Sequence, residues 1–183
     1  SGQRRLKGVR NMIIWLNGSF GVGKSETAKA LQKKLNRSHI YDPEQVGYFL
    51  WDNFPQEFRK GDFQDISLWR SVNFEVLKYL YRNYDGHIIV PMTIVCRQYE
   101  AEIIGRLSEE GVKLRHFILM ASKDIIRKRL SGRGEEAHSW PEQQIGRCLR
   151  AFENDIKGEC IATDTLTVEE TADIILQKID FSI

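Results

Sequence analysis

Lys24 and Ser25 close a glycine-rich stretch, Trp15-Leu-Asn-Gly-Ser-Phe-Gly-Val-Gly-Lys-Ser-Glu26, in which Gly18, Gly23, Lys24 and Ser25 fit the spacing G-x-x-x-x-G-K-[ST]. That spacing suits a phosphate chain, a dense block of negative charge. Backbone N–H groups of a loop and of a helix N-terminus can converge on it, and the helix dipole favours it there. Gly18, Gly21 and Gly23 allow conformations and close approach that side chains would block. A lysine at position 24 reaches the β- and γ-phosphates, and the hydroxyl of Ser25 ligates Mg²⁺. The candidate nucleotide-binding residues are therefore Gly18, Ser19, Phe20, Gly21, Val22, Gly23, Lys24, Ser25 and Glu26.

Such a loop needs a strand before it and a helix after it. Asn11-Met-Ile-Ile-Trp-Leu16 is a short apolar run, as a buried parallel strand should be. Beyond Ser25, Ala28, Leu31 and Leu35 recur at helical spacing, with Lys33 and Lys34 on the other face. This context outweighs the alternative of a glycine-rich turn that binds nothing.

The rest of the chain alternates in the same way. His39-Ile-Tyr41 reads as a second strand. Asp42, Pro43 and Gln45 then open a helix as N-cap, first helical residue and capping-box partner. Positions 46–83 are rich in aromatics and broken at Pro55 and Gly61, which predicts two helices, the second from about Asp65 to Tyr84. His87–Met92 is a third strand, 97–110 a helix closed by Gly111, and Val112–Met120 a fourth strand. Lys123–Leu130 is a short basic helix, and Gly132–Trp140 a polar loop expected to be mobile. Pro141 begins a helix to about Asn154, Ile161–Thr163 is a fifth strand, and Thr167 with Glu170 boxes a last helix.

Strands alternating with helices imply a five-stranded parallel sheet with right-handed crossovers, covered on both faces. The expected fold is thus α/β, a three-layer α/β/α P-loop NTPase domain over residues 1–183. It carries a helical insertion at about 43–84 and a lid at about 129–147. Ligands bind beyond the carboxyl ends of such strands, where the glycine-rich loop, Asp42, Pro91 and Thr163 all fall.

Composition narrows the partners. A formal charge of +2 and no strong basic patch argue against a nucleic-acid-binding module. Arg4, Arg5, Lys7 and Arg10 precede the first strand and read as a solvated arm. Nothing is apolar for long enough to cross a bilayer, and no secretory signal is present. Cys96, Cys148 and Cys160 are scattered, with neither zinc spacing nor a disulfide framework, so a reducing, cytoplasmic setting is expected.

Two branches of phosphate-loop protein lack their marks. A GTPase would want Asp-x-x-Gly after a strand and Asn-Lys-x-Asp; the one Asp-x-x-Gly, Asp155-Ile-Lys-Gly158, ends a helix. A motor or AAA-type ATPase would want an apolar strand ending in Asp, whereas the third strand runs into Val90-Pro-Met-Thr93. Arg129-Leu-Ser-Gly-Arg133 instead resembles the R-x-x-x-R lid entrance of nucleoside-monophosphate kinases and shikimate-kinase-like enzymes. That resemblance implies Arg129 against adenine, Arg133 on the phosphates, and Arg147 as a further phosphate contact. The alternative is one solvated helix face.

Several further blocks sharpen the likeness: Met12-Ile-Ile-Trp-Leu-Asn-Gly18, Tyr41-Asp-Pro-Glu44, Asp62-Phe-Gln64 with Leu68-Trp-Arg70, Val90-Pro-Met-Thr-Ile-Val95, Ile103-Ile-Gly-Arg-Leu107, Leu119-Met-Ala-Ser-Lys123 and Ser139-Trp140. Together they resemble the tunicamycin-resistance ATP-binding proteins from Met12 to the last helix. The resemblance implies an ATP-binding protein that protects against a nucleoside antibiotic with a fatty-acyl tail. Some members of that family carry a further amphipathic C-terminal segment linked with membrane association, a property the sequence up to Ile183 does not itself support.

On the acceptor side, the aromatic insertion suits a molecule with an apolar part, although most of its rings must pack the two helices. Arg70 either holds an anionic acceptor group or pairs with a neighbouring carboxylate. Asp42 either orients and deprotonates an acceptor hydroxyl, holds Mg²⁺ through water, or caps its helix. Two functions follow. One is an ATP- and Mg²⁺-dependent phosphotransferase acting on a small hydroxylated molecule, with Lys24, Asp42 and Arg133 catalytic. The other is an ATP-dependent antibiotic-binding protein without transfer.

Overall fold

Every residue of β1 (Ile13–Gly18) is buried, the pattern of a central strand covered on both faces. In the computed structural model, which describes residues 11–132, 134 and 140–180, β1 lies in the middle of one all-parallel sheet. With β2 (Ser38–Ile40), β3 (His87–Pro91), β4 (Leu114–Met120) and β5 (Glu159–Ala162), the order is β2-β3-β1-β4-β5. Ile13 faces Ile88 on one side and Leu114 on the other, and that register runs on to Leu16 opposite Pro91 and Gly18 opposite Leu119. The expected five-stranded α/β P-loop fold is the observed one. Every expected strand end falls within two residues of the observed one.

Period-two alternation sends β1 to two cores. Ile14 and Leu16 meet Ala28 and Leu31 of α1 (Lys24–Lys34), Ile126 of α6 (Lys123–Ser131) and Ile175 of α8 (Val168–Asp180). Ile13 and Trp15 meet Leu50 of α2 (Glu44–Asn53), Trp69 and Phe74 of α3 (Ser67–Asn83), and Leu107. On α7 (Trp140–Asn154), Cys148, Ala151 and Phe152 pack over Ile118 of β4. The aromatic insertion mainly builds this second layer. Phe63 sits 5.3 Å from the Trp51 ring and 5.5 Å from that of Trp69, and Trp69 Nε1 donates to Pro43 O at 3.0 Å.

Two local features differ from expectation. The helix expected over 97–110 is interrupted. It runs as α4 (Arg97–Glu100), a π-helical segment Ala101–Gly105, and α5 (Arg106–Glu109). The capping box at the last helix is as expected: Thr167 N donates to Glu170 Oε2 at 2.7 Å and Glu170 N to Thr167 Oγ1 at 3.1 Å. At α2 the box is only half formed. Asp42 Oδ1 accepts from Glu44 N at 3.0 Å, but Gln45 reaches back to the Asp42 carboxylate, not to its backbone N–H. Among the described residues, no helix is long and apolar enough to cross a membrane.

Candidate active site

The glycine-rich loop leaves β1 with Gly18 at φ 146°, where a Cβ would come within 2.7 Å of Leu119 O, so only glycine fits. It enters α1 through Gly23 at φ 97°, and no side chain caps that helix. The first-turn N–H groups of α1 therefore face the cleft in front of the loop. Lys24 Nζ lies over the loop and donates to Gly18 O at 3.1 Å and Ser19 O at 2.9 Å. Its charge also stands 5.7 Å from the Phe20 ring. Val22 and Ser19 are both buried, while Glu26 is exposed and pairs with Lys29 at 3.1 Å.

Residues that sequence reasoning missed hold this loop. Fully buried Asn17 accepts Gly18 N at 2.8 Å and Ile94 N at 2.9 Å, and donates to Ile94 O at 2.8 Å. Thr93 Oγ1 donates to Gly18 O at 2.7 Å. Arg129 braces the far side: its guanidinium donates to Val22 O at 3.1 Å and Thr163 O at 2.9 Å. The lid-entrance arginine expected against adenine thus joins the back of the loop to the end of β5. Arg133 and positions 135–139 of the expected lid lie outside the described residues.

A cleft of about 300 Å³ opens in front of the loop, lined among others by Gly23, Lys24, Ser25, Asp42, Glu44 and Thr93. One wall is cationic and rich in N–H donors; the other carries two carboxylates. Asp42 does two things there: it caps α2 and lines the cleft. Glu44, also missed, has its carboxyl raised by burial and by Asp42, with Lys24 pulling the other way. The donor set fits a polyphosphate. An uncapped helix N-terminus, a lysine and a hydroxyl face one space, and the hydroxyl and carboxylates are the hard oxygen ligands that Mg²⁺ takes.

Arg70 is buried and committed to protein. It pairs with Glu102, donates to Gln64 O at 2.7 Å, and lies 4.3 Å from the Tyr99 ring. Of the two expected roles, this geometry matches pairing with a neighbouring carboxylate. Arg147 is exposed on α7 and lines a smaller recess beside the cleft, together with Asp62 and Tyr99.

Behind the loop, Asn17 fixes the state of His116. Its Oδ1 is held by two backbone N–H groups, so the amide nitrogen must face His116 Nε2 at 3.2 Å. That ring nitrogen can only accept, and a protonated imidazole would set two donors against each other. Burial holds His116 down at about 4 and lowers buried His87 in the same direction. The folded state therefore resists protons that the unfolded chain takes up below about 6.5. Stability is expected to fall as pH drops from 6.5 towards 4, by at most about 1.4 kcal/mol per pH unit for each such group. Glu100, 3.8 Å from His116 Nδ1 and itself raised by burial, works in the opposite sense. Melting curves across this window should flatten in His116→Gln, which keeps an acceptor without titrating.

A family model described as an AAA domain matches residues 13–154. Among solved structures, the chain is similar to the tunicamycin resistance protein of Deinococcus radiodurans, with 28% identity and a TM-score of 0.80 over 93% of this chain and 96% of that one. It is also similar to a sugar kinase from Janibacter sp., with 16% identity and a TM-score of 0.67 over 94% and 96%. An APS kinase of Mycobacterium tuberculosis, solved with AMPPNP and APS, matches with 15% identity and a TM-score of 0.59 over 92% and 96%. At such identities the two kinases speak to fold alone. No curated protein matches the chain. The resemblance expected from the sequence blocks is thus present in the structure too. The setting aside of AAA-type proteins is corrected at the level of the family. The observation behind it stands, since β3 runs into Pro91, Met92 and Thr93 with no acidic residue.

Proposed function

Because the chain belongs to the AAA domain family, whose model spans residues 13–154, we propose that it is an ATP-binding phosphotransferase acting on a small hydroxylated molecule. The observation that carries this reading is the single cleft shared by Lys24, Ser25, Asp42 and Glu44. Catalysis of phosphoryl transfer is mostly positioning and charge neutralisation, and such a cleft sets a cationic phosphate cradle against a carboxylate wall. In this reading an acceptor hydroxyl oxygen forms a bond to the γ-phosphorus, the bond to the ADP oxygen breaks, and the hydroxyl proton passes to Asp42. Lys24 and the first-turn N–H groups of α1 hold the phosphates, and Arg129 braces their loop from behind. Mg²⁺, when bound, supplies further neutralisation of phosphate charge, and Ser25 Oγ with Asp42 through water would hold it.

The likeness to the Deinococcus radiodurans tunicamycin resistance protein supports an antibiotic ligand, and so admits a second reading in which the antibiotic is bound with ATP and released unchanged. Mass spectrometry separates the two. The protein is incubated with ATP, Mg²⁺ and a set of tunicamycin-like nucleosides and small hydroxylated metabolites. A product heavier by one phosphoryl group is the outcome expected of a kinase. ATP-dependent binding with no modified product from any candidate would replace it with sequestration.

A further inference from the structure

Beside the main cleft, and sharing Phe20 and Thr93 with it, lies a recess of about 50 Å³. Asp62, Gln64, Asp65, Tyr99 and Arg147 line it. Its polar groups are held in place. Asp62 Oδ1 accepts Gln64 N at 3.0 Å, and Asp65 Oδ1 accepts the Tyr99 hydroxyl at 2.6 Å. Gln64 is more than nine-tenths buried, and its Nε2 donates to Thr93 O at 2.8 Å. Its amide oxygen is left as the atom that no described residue engages. Arg70 builds the floor by holding Gln64 O and backing the Tyr99 ring.

We propose that this recess is an acceptor subsite for the hydroxyl-rich, sugar-like end of a small molecule, gripped by the Asp62 and Asp65 carboxylates and by Gln64 Oε1. The proposal rests on the phosphotransferase reading in taking that molecule to be the phosphoryl acceptor. The chemistry of the lining selects the class. An anionic group would meet two carboxylates. An ammonium group would meet Arg147 on the same rim, and a metal ion would want more ligands than gather there. Among the described residues, no group of three or more His, Cys, Asp or Glu side chains is arranged to hold a metal ion. Hydroxyl groups both donate to carboxylates and accept from a guanidinium without bringing a charge of their own. Through Thr93, which bonds both Gln64 and Gly18 O, the subsite is tied to the phosphate loop. A molecule anchored by one end here would lie with another hydroxyl towards Asp42.

The test is saturation-transfer NMR on the whole protein with AMPPNP and Mg²⁺, using D-glucose and myo-inositol as polyols, D-glucosamine as the cationic probe and cyclohexanol as the apolar control. The polyols are expected to bind the wild type. Asp62→Asn and Asp65→Asn should each weaken them about tenfold or more, the loss of one charged hydrogen bond. AMPPNP affinity and melting temperature should stay near wild type in both variants. Three results would overturn the subsite while leaving the nucleotide reading intact. They are polyols held equally by wild type and variants, polyols ignored by a wild type that binds AMPPNP, or glucosamine favoured tenfold over glucose. A wild type that does not bind AMPPNP would remove both.

Discussion

Lys24→Ala is expected to weaken ATP binding about 10- to 100-fold and to reduce any turnover further, with the fold intact. A hydrogen bond to a charged group is worth about 1.5–3 kcal/mol, which sets that range. Its share grows where charge builds on the transferring group. The lysine also has a structural task, since it bonds the carbonyl oxygens of Gly18 and Ser19. Both of those residues are held from elsewhere as well. Gly18 is tied to Asn17 and Thr93, and Ser19 accepts Val22 N at 3.3 Å. The loop should therefore survive the substitution, and the loss should appear in ligand binding and not in the melting curve. Calorimetry with ATP and Mg²⁺, beside thermal unfolding, is the measurement. An unchanged ATP affinity in a folded variant would end the phosphate-cradle interpretation of the loop.

How far the site could be seen in the sequence depends on the range of the interaction. The phosphate loop was legible because its chemistry lies within eight consecutive positions, Gly18 to Ser25, between an apolar run and a helical period. The Thr167–Glu170 box and the Asp42 cap were legible for the same reason, since both are made within three residues. Asn17 and Thr93 were not, because their partners come together only when β1 and β3 pair across 75 or more positions. Arg70 shows the ambiguity directly. An arginine after a tryptophan has no readable partner until α3 brings it beside Glu102, 32 residues on. Arg129 adds a contact of the same kind: the lid resemblance implies a role against a base, and only the fold shows that its donors also hold Val22 and Thr163. The π-helical segment at Ala101–Gly105 leaves Ile103, Ile104 and Leu107 on the buried side, so apolar periodicity could not reveal it.

Asp42→Asn separates the capping role of this residue from its role as a base. As a cap, it accepts Glu44 N through Oδ1, and an asparagine oxygen does the same. The second contact, from Gln45 Nε2 to Oδ2, can be restored by turning the exposed Gln45 amide over. Stability and ATP affinity should therefore change little. As a base, the carboxylate takes the proton of the acceptor hydroxyl, which an amide cannot do. A positioned base typically contributes about 10²–10⁴-fold, and turnover is expected to fall by that factor. Glu44 stands on the same wall with its carboxyl raised, so a residual rate that shifts its pH dependence upward would point to Glu44 as a partial substitute. Glu44→Gln in the Asp42→Asn background should then remove the remainder. The readout is the phosphorylated product by mass spectrometry, with single-turnover kinetics to keep product release from masking the chemical step. A folded Asp42→Asn variant that binds ATP and transfers phosphoryl at the wild-type rate would leave Asp42 as a helix cap alone. The base would then have to come from Glu44 or from the acceptor itself.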